Sequence, residues 1–429
     1  MIYHKTLMNI RKRHGYTHEE FAKLMECPVE HIVALETGHV PVAYEFAVKL
    51  ADKLNLHGAP IIESTRNALM DSLSNWKILI DYGLTDKAKQ LKPELEKGAM
   101  SSYSPSTENL YYLFAADYYR LIGDEKAYDE TMALLSQRVD TFAARPMYYY
   151  NCLVAAREHI NRRYIEALKA YKAAAKLDKD NRLGDVRFYY GYGLCLSDMG
   201  HPVNAAERLV KAQHKAKWSK LYNGAPNRRF DVYIDCYLAY NLSKMYKSDE
   251  ALEILDRRFE IEMKAERSKE KIGFVYHSYG SIYQIMRDYD KALENFDKAF
   301  QYLHTNGDAY KTNLYRKALV LIDSDKIEEG LRCIDKGLGF QLDDIRITMF
   351  EALRCSVTLT NPESLAYMQD VVMPKLLKYG QYEEIVKYFK LLREFHADRG
   401  EYNLALESAD MALEIKEHLY DEISLGGLL

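Results

Sequence analysis

The sequence predicts an all-α protein, on three observations. Glycine and proline together occupy only 31 of 429 positions, against a usual combined share of about 12%, and the Pro-free stretches between them are long enough for helices. Alternation of apolar and polar residues, the strand signal, is nearly absent. A self-similar unit of about 40 residues recurs through most of the chain, and such a period marks stacked helix pairs. With 48% hydrophobic and 28% charged residues, the composition is that of a packed chain and not of a disordered one.

Residues 1–60 form four helical stretches with their own punctuation. Tyr3 to His14 is amphipathic and Gly15 stops it. Thr17, with Glu20 three residues on, has the spacing of a capping box, so a second helix runs to about Met25. Cys27-Pro28 turns the chain, a third helix covers Val29 to Thr37, and Gly38 ends it. A fourth, Val42 to Leu54, follows Pro41. Residues 61–68 read as a linker.

Residues 69–429 carry the repeat. Its clearest copy, Gly273 to Asn306, places Tyr276, Tyr279, Gly280 and Tyr283 on a first helix and Ala292, Phe296 and Ala299 on a second. These are tetratricopeptide positions. Gly280 and Ala292 let two antiparallel helices approach, and the aromatics fill the gap to the next pair. Marking the first small or apolar residue of each second helix gives Ala88, Ala127, Ala167, Ala205, Ala251, Ala292, Gly330, Leu365 and Ala405. About nine degenerate pairs are therefore expected between Leu69 and Leu419, stacked as a right-handed tetratricopeptide-repeat superhelix whose concave surface is made mainly by the first helices.

The string from Ile10 to Leu56 resembles the helix-turn-helix domain of the Xre/Cro repressor class, with Ile10, Arg11, Arg13, Gly15, Thr17, Glu20, Ala22, Leu24, Ile32, Leu35, Glu36, Gly38 and Pro41 at the family positions. Joined to a degenerate tetratricopeptide array, it is similar to the RRNPP family of peptide-pheromone receptors. That resemblance implies a cytoplasmic quorum-sensing transcription regulator that binds double-stranded promoter DNA, forms a homodimer or higher homo-oligomer, and is controlled by a short signalling peptide in the groove of its repeats. A second reading within the same family is a Rap-like adaptor whose repeats sequester a partner protein while the helix-turn-helix is inactive on DNA.

On the DNA side, Lys5, Arg11, Lys12 and Arg13 form an acid-free basic end suited to phosphate, and His18, Val29, Glu30 and His31 would lie near base edges. Two departures stand out. His18 replaces the usual Gln, and the exposed face of the third helix has no Arg, Lys, Asn or Gln for paired base contacts. On the peptide side, the inward positions include Tyr112, Tyr149, Arg187, Tyr190, Tyr233, Tyr240, His277, Ser281, Gln284 and Tyr315, with Asn151, Asn241 and Asn313 on or beside that face. Asn241 and Asn313 would pair with a peptide backbone, Arg187 with a carboxylate, and the tyrosines would form pockets. The alternative is that the tyrosines pack between helices and the asparagines are solvated. The loop holding Arg228-Arg229 is a further candidate for the groove mouth.

Other classes find no support. A net charge of −4 gives no global basic field, so nucleic acid must be held by a local patch. No run of about 18 apolar residues marks a membrane span. The six cysteines are scattered without a C-x-x-C pair, as in a reducing compartment, so no metal site is expected. No Gly-rich phosphate loop, H-E-x-x-H or G-x-S-x-G occurs, so neither a cofactor nor an enzymatic activity is expected.

Overall fold

The computed structural model describes residues 4–40, 42–56, 63–178, 183–217, 230–265 and 269–424. The loop with Arg228-Arg229 lies outside them. Every regular element among the described residues is a helix. The first four are α1 (His4–Arg13), α2 (His18–Met25), α3 (Val29–Thr37) and α4 (Tyr44–Lys53). Thr17 caps α2: its hydroxyl accepts from the Glu20 amide at 3.2 Å, and its own amide donates to Oε2 of Glu20 at 2.8 Å. Gly38 closes α3 with φ of 80°, where a side chain is disfavoured. Leu7, Ile10, Phe21, Met25, Ile32, Leu35 and Leu50 then bury into one core.

Nine helix pairs follow among the described residues: α5 (Glu63–Asp81) with α6 (Thr85–Ser101), α7 (Pro105–Ile122) with α8 (Glu125–Ser136), α9 (Ala144–Ile160) with α10 (Tyr164–Leu177), α11 (Val186–Asp198) with α12 (Pro202–Lys217), α13 (Asp231–Lys244) with α14 (Ser248–Ala265), α15 (Lys269–Ile285) with α16 (Tyr289–Phe300), and α17 (Asp308–Asp323) with α18 (Ile327–Leu338). In the eighth, α19 (Asp344–Ser356) pairs with α20 (Pro362–Tyr367) and α21 (Met373–Lys378), which a π-helical turn at Met368–Val372 joins; α22 (Tyr382–Asp398) and α23 (Tyr402–Ser424) make the ninth. Residues 63–68, read from sequence as linker, are instead the first turns of α5, because no Gly or Pro interrupts them. Residues 61–62 lie outside the described set.

One turn recurs inside the pairs. A left-handed residue sits at Gly83, Gly123, Arg162, Gly200, Tyr246, Arg287, Asp325 and Gly400. The next amide reaches back five residues, as in Lys247 N to Leu242 O at 3.0 Å, Asp288 N to Tyr283 O at 2.9 Å and Lys326 N to Leu321 O at 2.8 Å. This is the Schellman closure, which satisfies the last carbonyls of the first helix and starts the second antiparallel to it.

The helices gather into two compact units, one built mainly from Met1–Leu153 and the other mainly from Val154–Ala173 and the chain after Gly184. In the first, Trp76 is fully buried, donates from Nε1 to Ala88 O at 2.8 Å and stacks on Tyr111 at 5.7 Å. In the second, helices meet at contacts that leave no room for a side chain: a Cβ on Gly280 would stand 2.6 Å from the Phe296 ring, and one on Gly193 2.9 Å from Leu209.

Gly280→Ala is therefore expected to destabilise the protein by roughly 1–2 kcal/mol, because overpacking against buried Phe296 outweighs the gain in helix propensity. Gly339→Ala, whose Cβ would have no neighbour nearer than 3.4 Å, is expected to be neutral or slightly stabilising. Urea midpoints of the two variants make the comparison.

Candidate functional site

The helix-turn-helix is held by a buried ion pair. Arg11 on α1 is 6% exposed and Glu36 on α3 is 7% exposed. The guanidinium donates from Nε to Oε1 at 2.7 Å and from Nη2 to Oε2 at 2.8 Å, and Nη1 donates to Tyr16 O at 3.0 Å. The bond to Glu36 raises the pKa of Arg11. Nε2 of His18 meets the same two partners, 3.0 Å from Arg11 Nη2 and 3.1 Å from Oε2 of Glu36. Arg11 is thus an interior strut tying α1 to α3 and not the phosphate contact expected of it, and His18 is turned toward that pair instead of a base edge.

Arg13 is also engaged. It pairs with the buried carboxylate of Glu108 on α7, donates to Met100 O at 2.9 Å and lies over the Tyr103 ring at 5.6 Å. Arg138 reaches the other Glu108 oxygen at 3.4 Å. Asn9 donates to Tyr103 O at 3.2 Å, and His14 stacks on the Tyr103 ring at 5.9 Å. This cluster docks α1 on the first repeats. Lys5 and Lys12 remain exposed on α1; seven residues apart, they share a face of the helix. On α3, Glu30 is exposed and Val29 half-buried, while the exposed His31 sets its ring edge-on to Phe46 of α4 at 6.3 Å.

In the second unit the first helices of four successive pairs present a row of half-buried aromatic and polar groups. Tyr190 of α11 packs against Phe230 at 5.5 Å and Tyr237 of α13 at 6.3 Å. Phe274 of α15 follows, 5.0 Å from Tyr233, 5.9 Å from Tyr237 and 6.0 Å from His277. His277 Nδ1 lies 2.9 Å from Oδ1 of Asn313 on α17, whose Nδ2 donates to Phe296 O at 2.9 Å. The amide orientation places the proton on Nδ1 and leaves Nε2 as an acceptor. Burial lowers the His277 pKa to about 4, so the ring is neutral at pH 7.

Asn241 of α13 is fully buried, and its Nδ2 donates to Ser197 Oγ at 2.9 Å and to Tyr237 O at 2.8 Å, while Oδ1 has no partner. Beside it, Arg316 of α17 reaches the Tyr240 hydroxyl at 3.4 Å, and Lys244 lies 5.2 Å from the Tyr240 ring centre. Burial opposes ionisation of Tyr240, but Arg316 and Lys244 outweigh it and the phenol titrates below its usual value. Lys244 in turn pairs with Glu383 of α22 at 3.0 Å.

The structure brings Tyr190, Tyr240, Asn241, His277 and Asn313 into this one network. Asn313 is fully buried with both ends of its amide occupied, so it ties helices together and is not the surface group expected from sequence. Tyr315 is 8% exposed and packs edge-on to Phe350 at 5.5 Å inside the core. Gln284 bonds the Asp323 carboxylate. Arg187 is half-buried on α11. Tyr149 and Asn151 belong to the first unit, where Tyr149 packs against Phe114 at 5.2 Å and Asn151 is half-buried. Sequence reasoning missed Tyr237, Lys244, Phe274 and Arg316. The spacing of Tyr233, Tyr237 and Tyr240, four and three residues apart on one helix face, held the signal for the first of these.

Residues 7–60 match the helix-turn-helix family. The transcriptional activator NprA of Geobacillus stearothermophilus is 19% identical over 413 residues, covering 91% of this chain and 98% of its own. A Rap protein complexed with competence and sporulation factor superposes with a TM-score of 0.69 at 16% identity, over 83% of this chain and 99% of that one. NprR in complex with its cognate peptide NprX gives 0.67 at 17% identity, over 81% and 99%. The chain therefore joins an Xre-type helix-turn-helix to nine tetratricopeptide-like helix pairs, a fold it shares with these Rap and NprR structures. The similarity runs to NprA in sequence and to NprR and Rap in fold.

Glu36→Gln keeps the volume but leaves the Arg11 charge buried without its counterion. A buried pair broken at one partner costs about 3–5 kcal/mol, so the amides of Leu7, Ile10 and Ile32 are expected to exchange hydrogen at least a hundredfold faster than in the parent. Unchanged exchange in α1 and α3 would contradict the strut.

Proposed function

We propose that the chain is a peptide-controlled transcription regulator: its helix-turn-helix binds double-stranded promoter DNA in the cytoplasm, and a short signalling peptide, held extended along α11, α13, α15 and α17, governs that binding. The observation that carries the reading is Asn241, whose buried amide oxygen lacks a partner. Such an orphaned acceptor costs about 1–3 kcal/mol, and a backbone N–H of an extended ligand supplies the missing donor. His277 Nε2 offers a second acceptor. Tyr190, Tyr233, Tyr237, Tyr240 and Phe274 supply the walls of side-chain pockets, and Arg316, with Arg187, supplies a cationic partner for a carboxylate. On the first unit, Tyr149 and Asn151 present the same chemistry. The peptide complexes of the similar Rap and NprR structures support this assignment.

On the DNA side, Lys5 and Lys12 hold phosphate, α3 enters the major groove with Val29 and Glu30 at its N-terminal end, and a homodimer spans two half-sites. The test is the salt dependence of duplex binding by the full chain. A randomised duplex pool of about 20 base pairs is enriched on the protein, and affinity is followed by fluorescence anisotropy from about 50 to 200 mM salt. Affinity is expected to fall at least tenfold across that range, and Lys12→Ala to weaken every sequence alike while lowering the salt slope by about one. Absence of any salt-dependent binding would contradict the DNA half of the reading and leave capture of a partner protein as the role of the repeats.

A further inference from the structure

The third helix has a surface of unusual chemistry for a reader of bases. It contains no Arg, Lys, Asn or Gln. Its outward face, Val29, Glu30, Val33, Ala34 and Thr37, lines with His39 an open pocket of about 380 Å³. Val33 is 41% exposed, whereas Ile32 and Leu35 on the opposite face are buried. The Thr37 hydroxyl donates to Val33 O at 2.7 Å and lies 2.7 Å from His39 Nδ1, so it is taken up within the domain. His31 leans on Phe46. What remains is one carboxylate, Glu30, in a patch of methyl groups.

We propose that this face reads thymine through its C5 methyl group, with Val29, Val33 and Ala34 as the contacting side chains, and reads cytosine through Glu30 accepting from the N4 amine. The inference rests on the DNA-binding reading above and names its specificity. Thymine alone presents a methyl group in the major groove, and apolar side chains contact it without needing a hydrogen bond. A carboxylate is repelled by phosphate and by the base acceptors, so the exocyclic amine is the group it selects. The surroundings suit a duplex: the His4 ring lies against Gly38, so that a Cβ there would stand 3.3 Å from it. That contact sets the first turn of α1, with the exposed cation of Lys5, beside the C-terminal end of α3, where the phosphate backbone rims the groove.

The test uses the enriched duplex, resynthesised with deoxyuridine in place of each thymine in turn. The change removes the methyl group and leaves every hydrogen-bonding edge intact. At least one thymine in each half-site is expected to lose about fourfold in affinity on this change, the worth of one buried methyl. Val33→Ala should lose a similar factor on the thymine duplex and nothing further on the deoxyuridine duplex. Because Val33 is at the surface, the variant keeps its fold, and its urea midpoint verifies that. Full affinity on a wholly deoxyuridine duplex overturns methyl readout while DNA binding stands. If the chain binds no duplex in a salt-dependent way, both readings fall, and the apolar face of α3 is assigned to a protein partner.

Discussion

The approach of the first helix of a pair to the second governs the repeat array. Where Gly280 meets Phe296 and Gly193 meets Leu209, a single added carbon would collide with a buried side chain. Helices that close leave the aromatics only the gaps between neighbouring pairs. The recurrent left-handed turn, filled by Gly200 in one pair and by Tyr246, Arg287 or Asp325 in others, returns the chain at a fixed register. In the second unit these two constraints bring Tyr190, Tyr237, Phe274 and His277 from three different pairs into one row.

Against that apolar row, the polar groups divide into those that finish the fold and those with capacity to spare. Asn313 is used at both ends of its amide, and Arg11 and Glu36 satisfy each other. Asn241 has the same burial as Asn313, yet its oxygen has no protein donor. The difference lies in the preceding first helix, which offers His277 to Asn313 but only Ser197, bonded to the amide nitrogen, to Asn241. The helix-turn-helix shows the same division. Arg11 and Arg13 are spent on Glu36 and Glu108, whereas Lys5 and Lys12 stand exposed on the same helix.

Local signals made much of this legible from sequence. The capping box at Thr17, the stop at Gly38 and the spacing of small residues in second helices gave the elements almost to the residue, because each depends on neighbours a few positions away. The engagement of a charge was not legible: Arg11 and Arg13 look alike in the string Arg11-Lys12-Arg13, and only the fold shows that Arg11 is buried against Glu36 of α3 while Arg13, still exposed, pairs with Glu108 of α7. Arg316 and Tyr240 are 76 positions apart, and Lys244 and Glu383 are 139 apart. No periodicity pairs residues at such distances. The eighth pair was marked by Leu365, but the π-helical turn that breaks its second helix was not legible.

Peptide control through Asn241 is tested most directly by the response of the DNA-bound full chain to a randomised heptapeptide pool, measured for the parent and for Asn241→Leu. Leucine matches the volume and removes the orphaned oxygen together with the Nδ2 bonds to Ser197 and Tyr237. The parent is expected to change its duplex affinity at least threefold on addition of active pool fractions, and Asn241→Leu, equally helical and equally tight on DNA alone, to give no response to those same fractions. A full response from Asn241→Leu would contradict the assignment of this wall as the place where the peptide is held.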